Sequence, residues 1–163
     1  MTKKKKSKTI QHLDPVWRDK ADYILRVRIP GSFSGFTSLW EQLWARKISD
    51  DLYEICCIPF FLYDVSLGDH VKTDRDDCIT EVVERSGHYT FRVWFGDSKD
   101  LTICPNVLQA AHEMGCLLEF YNPNLLGIDA STLEMAEHIS GYLLEKQQSG
   151  LLVYETGQMK PIT

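Results

Sequence analysis

A chain of 163 residues that is 44% hydrophobic, with four Trp, seven Tyr and seven Phe, has the material for one large domain or two small ones packed together. Its net charge of −5 hides a division: five lysines fall within residues 3–8, so everything from residue 9 onward carries about −10. Between Lys47 and Glu84 ten acids face three bases, a field that repels nucleic acid and draws basic protein surfaces.

Residues 1–20 read as a flexible basic tail, because the lysine run has no apolar face. The lysines are followed by Thr9, Gln11, His12 and Asp14 where a signal peptide would turn apolar, and no run reaches the roughly 20 apolar residues of a membrane helix. A cytoplasmic protein with no membrane partner is expected. Order begins at Tyr23, where Tyr23–Ile29 alternates as a strand until Pro30 and Gly31. Glu41–Ile48 and Leu52–Ile58 pair as a hairpin through Ser49-Asp50-Asp51, a reading the aromatic and β-branched residues favour over a helix opened by Ser38. Phe60–Val65 and the segment ending at Val71 predict two further strands, and Thr73–Asp77 a polar loop. Ile79–Glu84 and His88–Phe95 then form a second hairpin around Arg85-Ser86-Gly87. This spacing of short strands predicts a small, SH3-like β-barrel over residues 21–87.

Beyond Gly96 the pattern changes. Cys104-Pro105-Asn106 opens a helix that Gly115 stops, Cys116–Tyr121 and Leu125–Ala130 are strands, Ser131 with Glu134 caps a helix to about Gln148, and Leu151–Glu155 is a last strand. From His88 to residue 156 the order is β-α-β-β-α-β, a ferredoxin-like half, with residues 157–163 a C-terminal tail. The fold class is therefore α+β.

Glu41-Gln42-Leu43-Trp44-Ala45, Ile58-Pro59-Phe60-Phe61, Gly68-Asp69-His70-Val71 and Ser86-Gly87-His88-Tyr89-Thr90-Phe91-Arg92-Val93 together resemble a bacterial family known only as a domain of unknown function, across residues 22 to 156. The resemblance implies a bacterial source and brings no catalytic residue, substrate or cofactor. A second similarity, of composition alone, is to bacterial immunity proteins that neutralise toxins.

Chemical constellations are sparse. Ser86-Gly87-His88 reads as a turn leading into a strand, since neighbouring turn residues rarely align a hydroxyl with an imidazole. Cys56, Cys57, Cys78, Cys104 and Cys116 lack CxxC spacing, and an odd number of thiols in a reducing compartment predicts buried, unreactive side chains. His112 and His138 sit on the predicted helices without converging ligands, and Asp74, Asp76 and Asp77 lack the glycine and closing glutamate of a calcium loop. No metal or cofactor is expected. Tyr89, Phe91 and Phe120 would be the stacking residues of an RNA-binding sheet, but the acidic C-terminal half argues against a nucleic-acid partner.

The expectation is thus a non-enzymatic bacterial binding protein, an immunity protein neutralising a cationic, nuclease-type toxin. Its partner surface comprises Asp50, Asp51, Glu54, Asp69, Asp74, Asp76, Asp77, Glu81 and Glu84 around an apolar contact from Tyr53. The alternative is a small hydrolase, transferase or small-molecule-binding regulator with a site at the junction of the two halves, its members His88 and Arg92.

Overall fold

The computed structural model describes residues 6–31, 36 and 38–158. Ten strands and two helices follow in chain order: β1 (Ser7–Ile10), β2 (Tyr23–Ile29), β3 (Ser38–Ser49), β4 (Leu52–Ile55), β5 (His70–Thr73), β6 (Ile79–Glu84), β7 (Tyr89–Trp94), α1 (Ile103–Glu113), β8 (Leu117–Asn122), β9 (Leu125–Ala130), α2 (Leu133–Gln148) and β10 (Val153–Thr156). The class is mixed α+β, built on two sheets.

The first sheet is centred on β3. Its alternating burial turns Leu39, Glu41, Leu43 and Ala45 inward and Trp40, Gln42, Trp44 and Arg46 outward, the period of two that a half-buried strand requires. β3 pairs antiparallel with β2 along one edge, while the other edge takes β1 in parallel and then β4, which continues to β5 and β6. The strip curls until Arg26 bridges Cys78 beside β6, but the described strands form no closed barrel. Leu25, Leu43, Tyr53, Ile55 and Val71 fill its concave side.

The second sheet runs β10-β7-β9-β8, antiparallel throughout. One face is apolar: Phe91, Val93, Leu126 and Ile128 pack against Ile103, Val107 and Ala111 of α1 and Ala136, Ile139 and Leu143 of α2. Thr132, one residue later than expected, caps α2 by accepting the Met135 amide at 3.2 Å.

Four expectations need correction. The tail ends early: Ser7–Ile10 is a strand parallel to β3, Ile10 and His12 are buried, and the Trp17 amide donates to Cys56 O at 3.1 Å. The chain is tied down here because Ile10 pairs beside Glu41, which His12 then neutralises. Residues 1–5, where most of the lysines lie, are outside the described residues, as are residues 159–163 of the C-terminal tail; Gly157 of that tail is bonded between Asp64 and Thr90. Phe60–Val65 is no strand, since the amides of Phe60, Phe61 and Leu62 are taken by a side-chain carboxylate rather than a ladder. Nor do β6 and β7 form a hairpin. β6 pairs with β5 and β7 with β9 and β10, and the chain leaves one sheet for the other at Ser86-Gly87, with Gly87 at φ +85° and the Ser86 amide held by Asp69. The barrel, finally, stays open.

Candidate functional site

Seven polar or charged residues are buried among those described: His12, Glu41, Asp69, Thr90, Arg92, Glu119 and Asp129. All lie on or beside the layer between the sheets, where the second sheet turns Thr90, Arg92, Glu119 and Asp129 away from the helices. The connector Cys56–Asp69 runs through this layer, and it approaches β9 so closely that a Cβ on Gly127 would meet Ile58 Cγ2 at 2.9 Å.

His12 is the centre of the layer. Its Nδ1 is 2.5 Å from Glu119 Oε1 of the second sheet, and its Nε2 is 2.9 Å from Glu41 Oε1 of the first. The ring stacks on Phe60, with centroids 4.3 Å apart and planes within 5°. Both carboxylates also collect backbone donors, Glu41 from Phe60, Phe61 and Leu62 at 2.7–3.0 Å and Glu119 from Ile58 at 2.9 Å. Burial opposes the charge on His12, but Cys57 and the two glutamates outweigh it and push its pKa up to about 12. An imidazolium thus bridges two carboxylates, one per sheet. On the far side Arg92 donates to the carbonyls of Pro59 and Leu62, pairs with Glu155 at 3.3 Å and lies over the Tyr63 ring.

At the rim of this layer opens a cavity of about 310 Å³, lined by Asp64, Ser66, Asp69, Arg85, Gly87, His88, Tyr89 and Gln158. His88 Nδ1 lies 2.7 Å from Asp129 Oδ2, and that hydrogen bond raises the imidazole pKa. Burial also raises Asp129, whose Oδ1 has no hydrogen-bond partner among the described residues. The Ser86 hydroxyl donates to Leu67 O at 2.6 Å and accepts the His88 amide, and the hydrogen bond of His88 Nδ1 goes to Asp129. His88 and Arg92 do not share a cavity, because the Arg92 guanidinium is spent on the connector. Burial raises the thiols of Cys56 and Cys116 to about 12 and about 11, which keeps them protonated, and it raises Cys57 against the opposing pull of His12.

The residues expected to form a partner surface divide into three groups. Tyr53 and Asp69 are buried and offer no contact: Tyr53 fills the core, and Asp69 accepts the amides of Ser66 and Ser86 and pairs with Arg85. Glu54, Glu81 and Glu84 lie on strands among bases. Glu54 contacts Lys20, Arg46 and His70, Glu84 contacts His70, and Glu81 stands opposite Lys72. Although burial works against it, hydrogen bonds from Arg46 and Lys20 hold the Glu54 pKa low. Asp50, Asp51, Asp74, Asp76 and Asp77 are brought together. The β3–β4 and β5–β6 turns project from the same end of the sheet, since Leu52 pairs with Lys72 and the Thr73 amide donates to Asp51 O at 3.1 Å. Asp74 Oδ1 fixes the second turn by accepting the amides of Asp76 and Cys78, and Asp77, at φ +59°, accepts the Tyr23 hydroxyl.

His12, Glu41 and Glu119 escaped the sequence reading, although a signal was present. Glu41 occupies an inward position in the alternation Leu39, Leu43, Ala45, and an acid there demands a buried partner.

Fold and site define a two-sheet α+β protein joined by a buried ionic layer, with a polar cavity at its rim and an acidic tip. The chain belongs to the family described as "Domain of unknown function (DUF4265)", whose model matches residues 41–154. It is also similar to a solved structure titled "Novel crystal structure of a hypothetical protein from Neisseria gonorrhoeae", at 18% identity and a TM-score of 0.69, covering 84% of this chain and 96% of that one. That likeness extends to the fold alone. No curated protein matches the chain. The four segments that resemble the family supply Glu41, the Ile58, Phe60 and Phe61 amides and Arg92 to the layer, and Asp69 and His88 to its rim. No described helix is long and apolar enough to cross a membrane.

Proposed function

We propose that this chain is a non-enzymatic binding protein of the bacterial immunity type, which neutralises a basic, nuclease-like toxin domain in the cytoplasm. The observation that carries this reading is the convergence of Asp50, Asp51, Asp74, Asp76 and Asp77 on adjacent turns at one end of the first sheet. Turn aspartates held on a rigid sheet attract a cationic surface without reorganising, which speeds encounter and disfavours wrong partners. We read the second sheet with its helices as a ferredoxin-like unit, on the strand order β10-β7-β9-β8, and the first as an opened SH3-like sheet. The test is protection. A toxin domain encoded beside this chain is co-expressed with it, and growth is restored by the native protein but not by Asp74→Lys/Asp76→Lys/Asp77→Lys. Full protection by that triple variant would sink the proposal.

A second reading, a small-molecule site at the junction, draws on the His88–Asp129 pair at the wall of the rim cavity. Titration with inorganic phosphate, followed at the His88 imidazole by NMR, tests it. Unchanged His88 resonances at millimolar phosphate would count against an anion site there.

A further inference from the structure

The charge is segregated in space as well as in sequence. Residues 6–48 carry eight bases against four acids, one of them the buried Glu41. Their bases gather with tryptophans on the outer face of β2 and β3. The register sets Ile24 opposite Trp44, Arg26 opposite Gln42 and Arg28 opposite Trp40, on the face away from the fully buried side chains, with Trp44 half-buried against the core and its indole N–H held by His12 O. The Arg26 guanidinium lies 5.0 Å from the Trp40 ring centroid and that of Arg18 lies 5.6 Å from Trp44. Arg28 has no side-chain hydrogen-bond or ionic partner among the described residues. Arg46 closes the row beside Glu54, and the β5–β6 turn borders it where Arg26 Nε donates to Asp76 O at 3.2 Å.

We propose that this outer face of β2 and β3 binds single-stranded nucleic acid, an activity beyond the toxin-binding reading and on a different surface. A guanidinium held over an indole has already lost much of its rotamer freedom, while the donors other than Arg26 Nε are left for phosphate oxygens. Trp40 and Trp44 stand about 13 Å apart along the strand and offer, with their arginine lids, planar surfaces on which bases stack regardless of sequence. Gln42 between them adds an amide that reads base edges. An acidic peptide would use the arginines and leave the indoles without a role, so the alternation of indole and guanidinium favours nucleic acid. The RNA-binding face considered from sequence does not compete: Phe91 is buried beneath the helices, and the other side of that sheet faces the ionic layer.

The experiment uses the full chain and a fluorescein-labelled oligothymidylate, with binding followed by anisotropy at low salt. Saturable binding is expected, with quenching of tryptophan fluorescence and a log–log salt slope of about −0.7 for each phosphate neutralised. Arg26→Ala/Arg28→Ala alters two exposed side chains; it should melt like the native protein, weaken binding at least about tenfold and flatten the slope by about 1.4. A second variant, with Lys3, Lys4, Lys5 and Lys6 changed to Ser, separates the N-terminal lysines from the face and should retain the arginine effect. No binding at low salt, unchanged binding in the folded arginine variant, or complete loss in the lysine variant would each overturn the proposal. So would a polyglutamate peptide that competes equally well and quenches tryptophan equally, an outcome pointing to an acidic protein partner.

Discussion

Removing the cation at the centre of the interlayer should destabilise the fold more than any surface change. In His12→Ala the Glu41 and Glu119 carboxylates, 0% and 1% exposed, lose the imidazolium between them. Glu41 keeps three backbone donors and Glu119 one, so neither is stripped bare, yet two negative charges then face each other out of water. Deleting one partner of a buried pair costs about 3–5 kcal/mol, and two stranded carboxylates with a lost Phe60 stack put this variant near the upper end. Urea denaturation followed by tryptophan fluorescence measures it. The pH dependence separates charge from packing. With a folded pKa of about 12 against an unfolded 6.5, His12 contributes stability that is fully present below 6.5 and lost as pH rises through about 12. Between those values it makes the native protein lose up to about 1.4 kcal/mol per pH unit. The variant should lack that slope. Adding Glu119→Gln should recover part of the loss. A cost under about 1 kcal/mol, or a native pH slope retained in His12→Ala, would refute the ionic bridge.

Three further outcomes follow from specific contacts. Gly127→Ala drives a methyl to within 2.9 Å of Ile58 Cγ2 and should cost about 1–3 kcal/mol in thermal or urea unfolding. The His88 imidazole, titrated by NMR, should show a pKa above 6.5 that returns toward it in Asp129→Asn; its share of stability is complete below 6.5 and is lost as pH rises through the raised value. Thr132→Ala removes the acceptor of the Met135 amide and should lower stability by about 1 kcal/mol without altering either proposed surface.

Elements set by local rules were legible in the sequence. The alternation through β2, β3 and β4 gave the strands and the Asp50-Asp51 turn, and cap residues with Gly115 and Gly150 bounded both helices to within a few residues. What stayed hidden depends on partners remote in the chain. Phe60–Val65 has strand composition, but its amides belong to Glu41, about twenty residues earlier. Ile79–Phe95 looks like a hairpin, but Asp69 captures Ser86 and turns the chain into the other sheet. The basic N-terminus reads as solvated until His12 is matched with Glu119, 107 residues away. Among the acids, a list by composition could not separate Asp69, which is spent on backbone amides, from Asp74, which shapes an exposed turn.

An ionic layer between two sheets is a costly way to obtain adhesion, because desolvation cancels much of the attraction between its charges. Its return is direction. Apolar contact fixes no angle between two faces, whereas amides converging on Glu41 and Glu119 admit one arrangement of connector, strand and N-terminal segment. That arrangement holds β3 from both sides: His12 and the connector fix its inward face through Glu41, and the Trp44 indole donates to His12 O at 3.1 Å from its outward face. The same strand leads at one end into the acidic turn and carries along its outer face the arginine–tryptophan row. A strand anchored this way keeps two oppositely charged surfaces in fixed relation, so the ligands proposed for them would meet a preformed surface rather than one they must order.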